Sequence, residues 1–204
     1  MSKIQTRDMK SASELLVDCI ATFSCTELCS FRDFVVYTIV SCVLHLPRTE
    51  LKDKIIDSPE ILTVAPDIPV VFRLVQALHE CDYKEYLLAL VDLHPILIGD
   101  RYLQPHCGYI VRELYVLGYK QFLDSYKSVT IKSMATIFGV SPEYLDIHLS
   151  RFIAAGRLTA KIDKHGGIVE TNRSDVKNSQ YKDMIHKGDL LLNRMQKLSR
   201  VLDV

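Results

Sequence analysis

No window of about 20 consecutive apolar residues, the length a bilayer requires, occurs in this 204-residue chain. The longest near-apolar run, Phe34 to Leu46, is interrupted by Thr38, Ser41 and His45. The opening segment, MSKIQTRDMKSASELL, lacks the apolar core of a secretory signal. No membrane partner is therefore expected. Excess charge is also missing: 25 Lys and Arg balance 25 Asp and Glu. A protein that grips nucleic acid through its phosphates carries a basic excess, so only a local patch is left for that role.

The six cysteines (Cys19, Cys25, Cys29, Cys42, Cys81 and Cys107) include no CxxC pair. Cys19, Cys25 and Cys29 fit zinc-ligand spacings poorly, and no histidine lies near them to complete a tetrahedral set. Buried reduced thiols are the simpler expectation. GxSxG, HExxH, P-loop and GxGxxG motifs are absent, and the seven histidines are scattered. His148 is expected on a solvent face. No catalytic set assembles and no cofactor or metal is expected, so the chain is read as non-enzymatic.

What is present is a run of amphipathic helices. Ser11 or Ser13 is expected to cap a helix reaching about Phe23. Phe34 to Leu46 reads as a buried helix stopped by Pro47. Thr49 is placed as the cap of a short helix through Ile56, and Ser58-Pro59-Glu60 opens another with proline at the first helical position. Val70–His79, Lys84–Leu97 and a helix from Pro105 to about Tyr126 follow. This alternation of helix and turn over residues 1–128 fits an α-solenoid of the tetratricopeptide kind, although no repeat signature recurs and an irregular bundle has the same rhythm.

From Ser128 the character changes. Thr130 is positioned to cap a helix with Ile131, Met134, Ala135 and Phe138 on one face, closed by Gly139. Ser141-Pro142-Glu143 opens a second, with Leu145, Leu149, Phe152 and Ile153 inward, ending at Gly156. Alternating RLTAKID and GIVETN then flank Lys164-His165-Gly166-Gly167, a hairpin signal. Two helices and a hairpin over residues 129–173 make a winged helix. Its second helix carries Glu143 and Asp146 where DNA readers carry Arg or Asn. From Thr130 to Thr171, five Lys and Arg oppose four Asp and Glu. DNA recognition is therefore disfavoured. An exposed wing strand can instead pair with a neighbouring protein strand. The residues expected to serve are Leu158, Thr159, Ala160, Lys161, Ile162, Ile168, Val169 and Glu170, unless the wing simply packs on its own helices.

Residues 174–204 form a polar linker and a C-terminal helix. Met184, Leu191, Met195, Leu198 and Leu202 follow heptad-like steps, widened by Ile185 and Leu192. Such a seam wants cover, from the chain's own surface or from other helices. Leu191, Leu192, Met195, Leu198, Val201 and Leu202 are the candidate contact residues.

The order of helical repeats, winged helix and terminal helix resembles PCI-domain subunits of the proteasome lid. LSRFIAAGRLTAKIDKHGGIVETN, DFVVYTIV, APDIPVVFRLVQALHECDY and the segment from Tyr109 to Ser141 carry the likeness, most strongly in Arg151–Val169 and Gly188–Val201. The resemblance implies a mostly α chain, with a right-handed helical repeat before the PCI winged helix. It also implies a non-catalytic scaffold, with winged helices of several subunits side by side and C-terminal helices gathered in a bundle. The expected setting is the cytoplasm and nucleus, in ubiquitin-dependent proteolysis, where a different subunit supplies the zinc protease. A PCI subunit of the signalosome has the same architecture and is the alternative. Members of the family carry a further N-terminal helical region, roughly as large again.

Overall fold

Side-chain caps set several of the helix starts in the computed structural model, which describes residues 2–24, 27–171, 181 and 184–195. After a single turn, α1 (Ser2–Gln5), the Asp8 carboxylate accepts from the Ser11 amide and opens α2 (Met9–Cys19). The cap expected at Ser11 or Ser13 thus lies at Asp8, and the helix stops short of Phe23. Ser13 is instead a buried helical residue whose hydroxyl donates to the Lys10 carbonyl.

α3 (Phe31–His45) is capped by Ser30 and ends before Pro47. Residues 34 to 43 are all buried, so it forms the centre of the helical region. α4 (Arg48–Leu51) begins beyond Pro47 rather than at a Thr49 cap, and continues into a π-turn, Lys52–Ile56. α5 (Pro59–Val64) has proline at its start as expected, but the Ser58 hydroxyl donates to Glu60 instead of capping.

α6 (Pro69–Glu80) and α7 (Tyr83–Gly99) form an antiparallel hairpin joined by Cys81 in the left-handed conformation and by Asp82, whose carboxylate caps α7. A 3-10 turn, Gln104–His106, leads to α8 (Cys107–Leu123), which ends earlier than the expected Tyr126. α2 packs along α3, α6 along α7 and α7 along α8, while α3 also meets α6 and α8. The result is a stack of helical hairpins with one continuous core.

The α7–α8 approach depends on a glycine. A Cβ on Gly118 would lie 2.8 Å from Cε1 of Tyr86, whose ring is fully buried. Glycine in mid-helix costs about 1 kcal/mol relative to alanine. Here it lets the Tyr86 ring lie against α8, where its hydroxyl donates to the Leu114 carbonyl at 2.8 Å.

The winged helix follows. Thr130 caps α9 (Ile131–Phe138), and Gly139, at φ 67°, closes it. Ser141 caps α10 (Pro142–Ala154). The expected hairpin is β2 (Ala160–Asp163) and β3 (Ile168–Thr171). A third strand, β1 (Ser128–Thr130), pairs antiparallel with β3, so the sheet order is β1-β3-β2. Sequence reading missed β1 because it is only three residues long and its last residue doubles as the cap of α9.

The winged helix is anchored to the repeats at several points. Tyr83 stacks on Phe138 and meets Phe122 edge-on. Arg157 forms an ion pair with Glu113. The Thr171 hydroxyl donates to the Tyr126 carbonyl at 2.7 Å. No helix among the described residues is long and apolar enough to cross a membrane.

Candidate protein-docking surfaces

The hairpin turns one of its faces to the chain's own core. Leu158, Ala160 and Val169 are buried beneath the sheet, while Thr159, Lys161 and Glu170 are exposed above it, and Ile162 and Ile168 are intermediate. The register sets Lys161 opposite Glu170 and Ile162 opposite Val169.

Hydrogen-bond alternation then identifies the free edge. The Thr171 amide donates to the Lys127 carbonyl, and the Ile131 amide donates to the Gly167 carbonyl. In an antiparallel ladder opposite residues alternate between bonded and unbonded pairs. Residues 167, 169 and 171 thus turn their main chain toward β1, and 168 and 170 toward β2. Lys161 and Asp163 complete that ladder. The N–H and C=O of Ala160 and Ile162 point away from β3, and among the described residues no backbone group pairs with them. This corrects one expectation: Ile168, Val169 and Glu170 lie in the central strand, so they support the edge and do not offer one. β2 forms one edge of the sheet, with Ala160 and Ile162 presenting the groups, and the short β1 forms the other.

The second helix of the winged helix presents Glu143, Tyr144, Ile147 and Arg151 outward. Asp146 is only partly exposed; its Oδ1 is sealed, with no hydrogen-bond partner among the described residues, beside a cavity of about 430 Å³ next to Gly166 and Gly167. His148 does not face solvent as its position suggested. Its Nδ1 is 3.1 Å from the Tyr119 hydroxyl, and its ring lies among Tyr115, Tyr144 and Phe152. Burial, and then the nearby Arg151 charge, hold its proton affinity below the usual histidine range. The surface that a DNA-binding winged helix would use is therefore part acidic, part apolar, and tied to α8.

Residues 184–195 are helical, and all but Gly188 are exposed. Met184, Leu191 and Met195 are 68%, 59% and 69% accessible, and Ile185 and Leu192 are similarly open. The seam is thus uncovered by the chain's own described surface. Leu198, Val201 and Leu202 lie outside the described residues.

Stacked helical hairpins leading into a winged helix with a short sheet define a PCI-type module, and the PCI domain family model matches residues 90–173. Residues 1–54 match the model of 26S proteasome subunit RPN7, and residues 180–202 match that of the RPN7/PSMD6 C-terminal helix. The 26S proteasome non-ATPase regulatory subunit 6 homolog of Arabidopsis thaliana is 47% identical over 98% of this chain and 52% of that protein. The corresponding subunit of Dictyostelium discoideum is 46% identical over 99% of the chain and 53% of its own length. The chain belongs to the RPN7, or regulatory subunit 6, family of PCI-domain proteins. It spans about half the length of the curated relatives it matches. COP9 signalosome complex subunit 1 of Arabidopsis thaliana is more distant, 24% identical over 81% of the chain.

Proposed function

We propose that the chain is a non-catalytic scaffold subunit of the 26S proteasome regulatory-particle lid, working in ubiquitin-dependent protein degradation in the cytoplasm and nucleus. Its helical repeats (1–128) carry the winged helix (129–173). The winged helix docks on neighbouring PCI subunits through the β2 edge, and the C-terminal segment (174–204) enters a bundle of helices from other lid subunits. The observation that carries this reading is the tail seam. A helix with Met184, Ile185, Leu191, Leu192 and Met195 all exposed leaves a large apolar stripe in water unless other helices cover it. The relatives' printed names, which describe non-ATPase regulatory subunits of the 26S proteasome, support the setting and the non-catalytic role. The distance to the signalosome subunit makes that assembly the weaker reading.

Leu191→Asp with Leu198→Asp tests it. Leu191 is exposed, and the chain is expected to keep its circular dichroism and melting temperature. It is expected to disappear from lid complexes recovered from cells by affinity capture of another subunit. Undiminished recovery of the double variant overturns the tail's role.

A further inference from the structure

β2 (Ala160–Asp163) is an edge whose groups are arranged to answer a copy of themselves. Its outward main chain belongs to Ala160 and Ile162, and no backbone group among the described residues pairs with either. Lys161 and Asp163 alternate with them, lie on the exposed face of the sheet and carry opposite charges. Ile162, on the core side, is only partly covered. Folded proteins commonly guard an edge with charges, a proline, a bulge or a covering segment. β2 has no proline, and its two charges differ in sign. β1, at the other edge, is three residues long and runs straight into α9.

Two β2 strands set antiparallel about a two-fold axis normal to the sheet have few registers open to them. Outward-facing residues must meet outward-facing residues if their N–H and C=O groups are to bond. With Ile162 opposite Ile162 of the second copy, those two residues exchange both bonds. The same register sets Lys161 opposite Asp163 of the copy, and Asp163 opposite its Lys161. Residues directly opposite share one face of the sheet, with Cβ atoms about 4.5–5.5 Å apart, where unlike charges stabilise and like charges destabilise. Lys161 then lies between two carboxylates, its cross-strand neighbour Glu170 and the copy's Asp163. Sliding one strand by two residues pairs Ile162 with Ala160 and brings Lys161 against Lys161 on the axis. Charge therefore selects the first register. In it the two Ile162 side chains meet on the core side and cover apolar surface that the single chain leaves partly open.

We propose that the isolated chain forms a two-fold dimer in which β2 pairs with β2 of a second copy, with Ile162 on the axis and a Lys161–Asp163 ion pair on either side. The two three-stranded sheets become one sheet of six strands. The occupant is a second copy because one four-residue strand supplies both sides of the match. Free main-chain groups face free main-chain groups, and each charge faces its opposite. An isologous contact of this kind closes on itself, whereas subunits standing in a row need two different surfaces. The dimer takes the edge that the proposed function gives to a neighbouring subunit, so the two exclude each other. The free chain keeps its edge covered until a neighbour displaces the copy. That competition, though not the dimer, rests on the reading of β2 as a docking edge in the lid.

Sedimentation velocity of the 204-residue chain over a range of concentrations tests it. A monomer–dimer equilibrium is expected. Lys161→Asp sets acid against acid across the axis, and Asp163→Lys sets lysine against lysine. Each variant alone is expected to dimerise about tenfold more weakly, the scale of two cross-strand pairs turned from attraction to repulsion. Mixed in equal amounts, the two variants are expected to form a heterodimer of about the original strength, because every charge again meets its opposite. Ala160→Pro, which removes an outward N–H, is expected to weaken the dimer while its circular dichroism stays unchanged. It decides the matter where a charge variant loses its fold. A chain that stays monomeric overturns the proposal. So does a dimer indifferent to Ala160→Pro, or a mixture that associates no better than its components. Loss of the dimer in Ala160→Pro with full recovery of that variant in lid complexes supports the dimer and overturns lid docking through β2.

Discussion

The Tyr119 hydroxyl and His148 Nδ1 lie 3.1 Å apart, joining the last repeat helix, α8, to the second helix of the winged helix. The pair sits in an aromatic cluster with Tyr115, Tyr144 and Phe152. Together with the Tyr83–Phe138, Arg157–Glu113 and Thr171–Tyr126 contacts, this joint ties the winged helix, and with it the β2 edge, to the repeats.

Stability is expected to fall as the pH drops below neutrality. Burial lowers the proton affinity of both His148 and His45 below the ordinary value of 6.5. As pH falls through 6.5 the unfolded chain binds protons that the folded chain refuses. The stabilisation is therefore complete above 6.5 and declines from there toward the lower folded-state values. Melting temperatures measured between about pH 7.5 and 5.5, above most carboxylate titration, are expected to decrease. His148→Gln is expected to flatten that slope, leaving the His45 contribution; an unchanged slope counts against His148.

Gly118→Ala is expected to destabilise the chain by about 1–3 kcal/mol, because the new methyl overpacks the site. Helix propensity alone favours alanine by about 1 kcal/mol. The 2.8 Å approach to the buried Tyr86 ring decides the sign. Urea denaturation measures it, and a stabilised variant shows that the ring moves aside freely.

Ser41 lies in the buried stretch of α3, and its hydroxyl has no hydrogen-bond partner among the described residues. A buried hydroxyl left unpaired costs about 1–3 kcal/mol. Ser41→Ala is expected to be neutral or to stabilise by about 1 kcal/mol, since it removes that penalty and leaves almost no space behind. A clear loss in a chemical melt reveals a bond that the hydroxyl makes in solution.

Two proline variants separate edge from ladder. Ala160→Pro removes an N–H that points off the sheet, whereas Lys161→Pro removes one directed at β3. Ala160→Pro is expected to reduce recovery with neighbouring subunits while the chain stays folded. Lys161→Pro is expected to lower the melting temperature first. Equal recovery of Ala160→Pro and the unaltered chain argues against docking through this edge.

Sequence and structure agree best where the signals act over three or four residues. Thr130, Ser141 and Gly139 bound α9 and α10 as expected, and the run of buried residues from Phe34 agrees with α3. Caps failed where two candidates competed: Asp8 displaced Ser11 and Ser13, and Ser58 spent its hydroxyl on Glu60. In the tail, the exposure of Met184, Leu191 and Met195 agrees with the seam positions that the spacing along one helix marks out.

By itself the sequence determined the helical rhythm, the winged-helix order, the neutral charge and the family, since each follows from spacing, composition or likeness along the chain. Tertiary structure decided which of those surfaces is free. β1 comes from 38 residues or more upstream to flank β3, and that pairing alone turns β3 into a central strand and leaves β2 and the short β1 as the edges. The fold likewise draws His148 into contact with Tyr119, while α7 keeps one apolar face in water. Strand order and burial are set by residues far apart in the chain, and no local pattern encodes them.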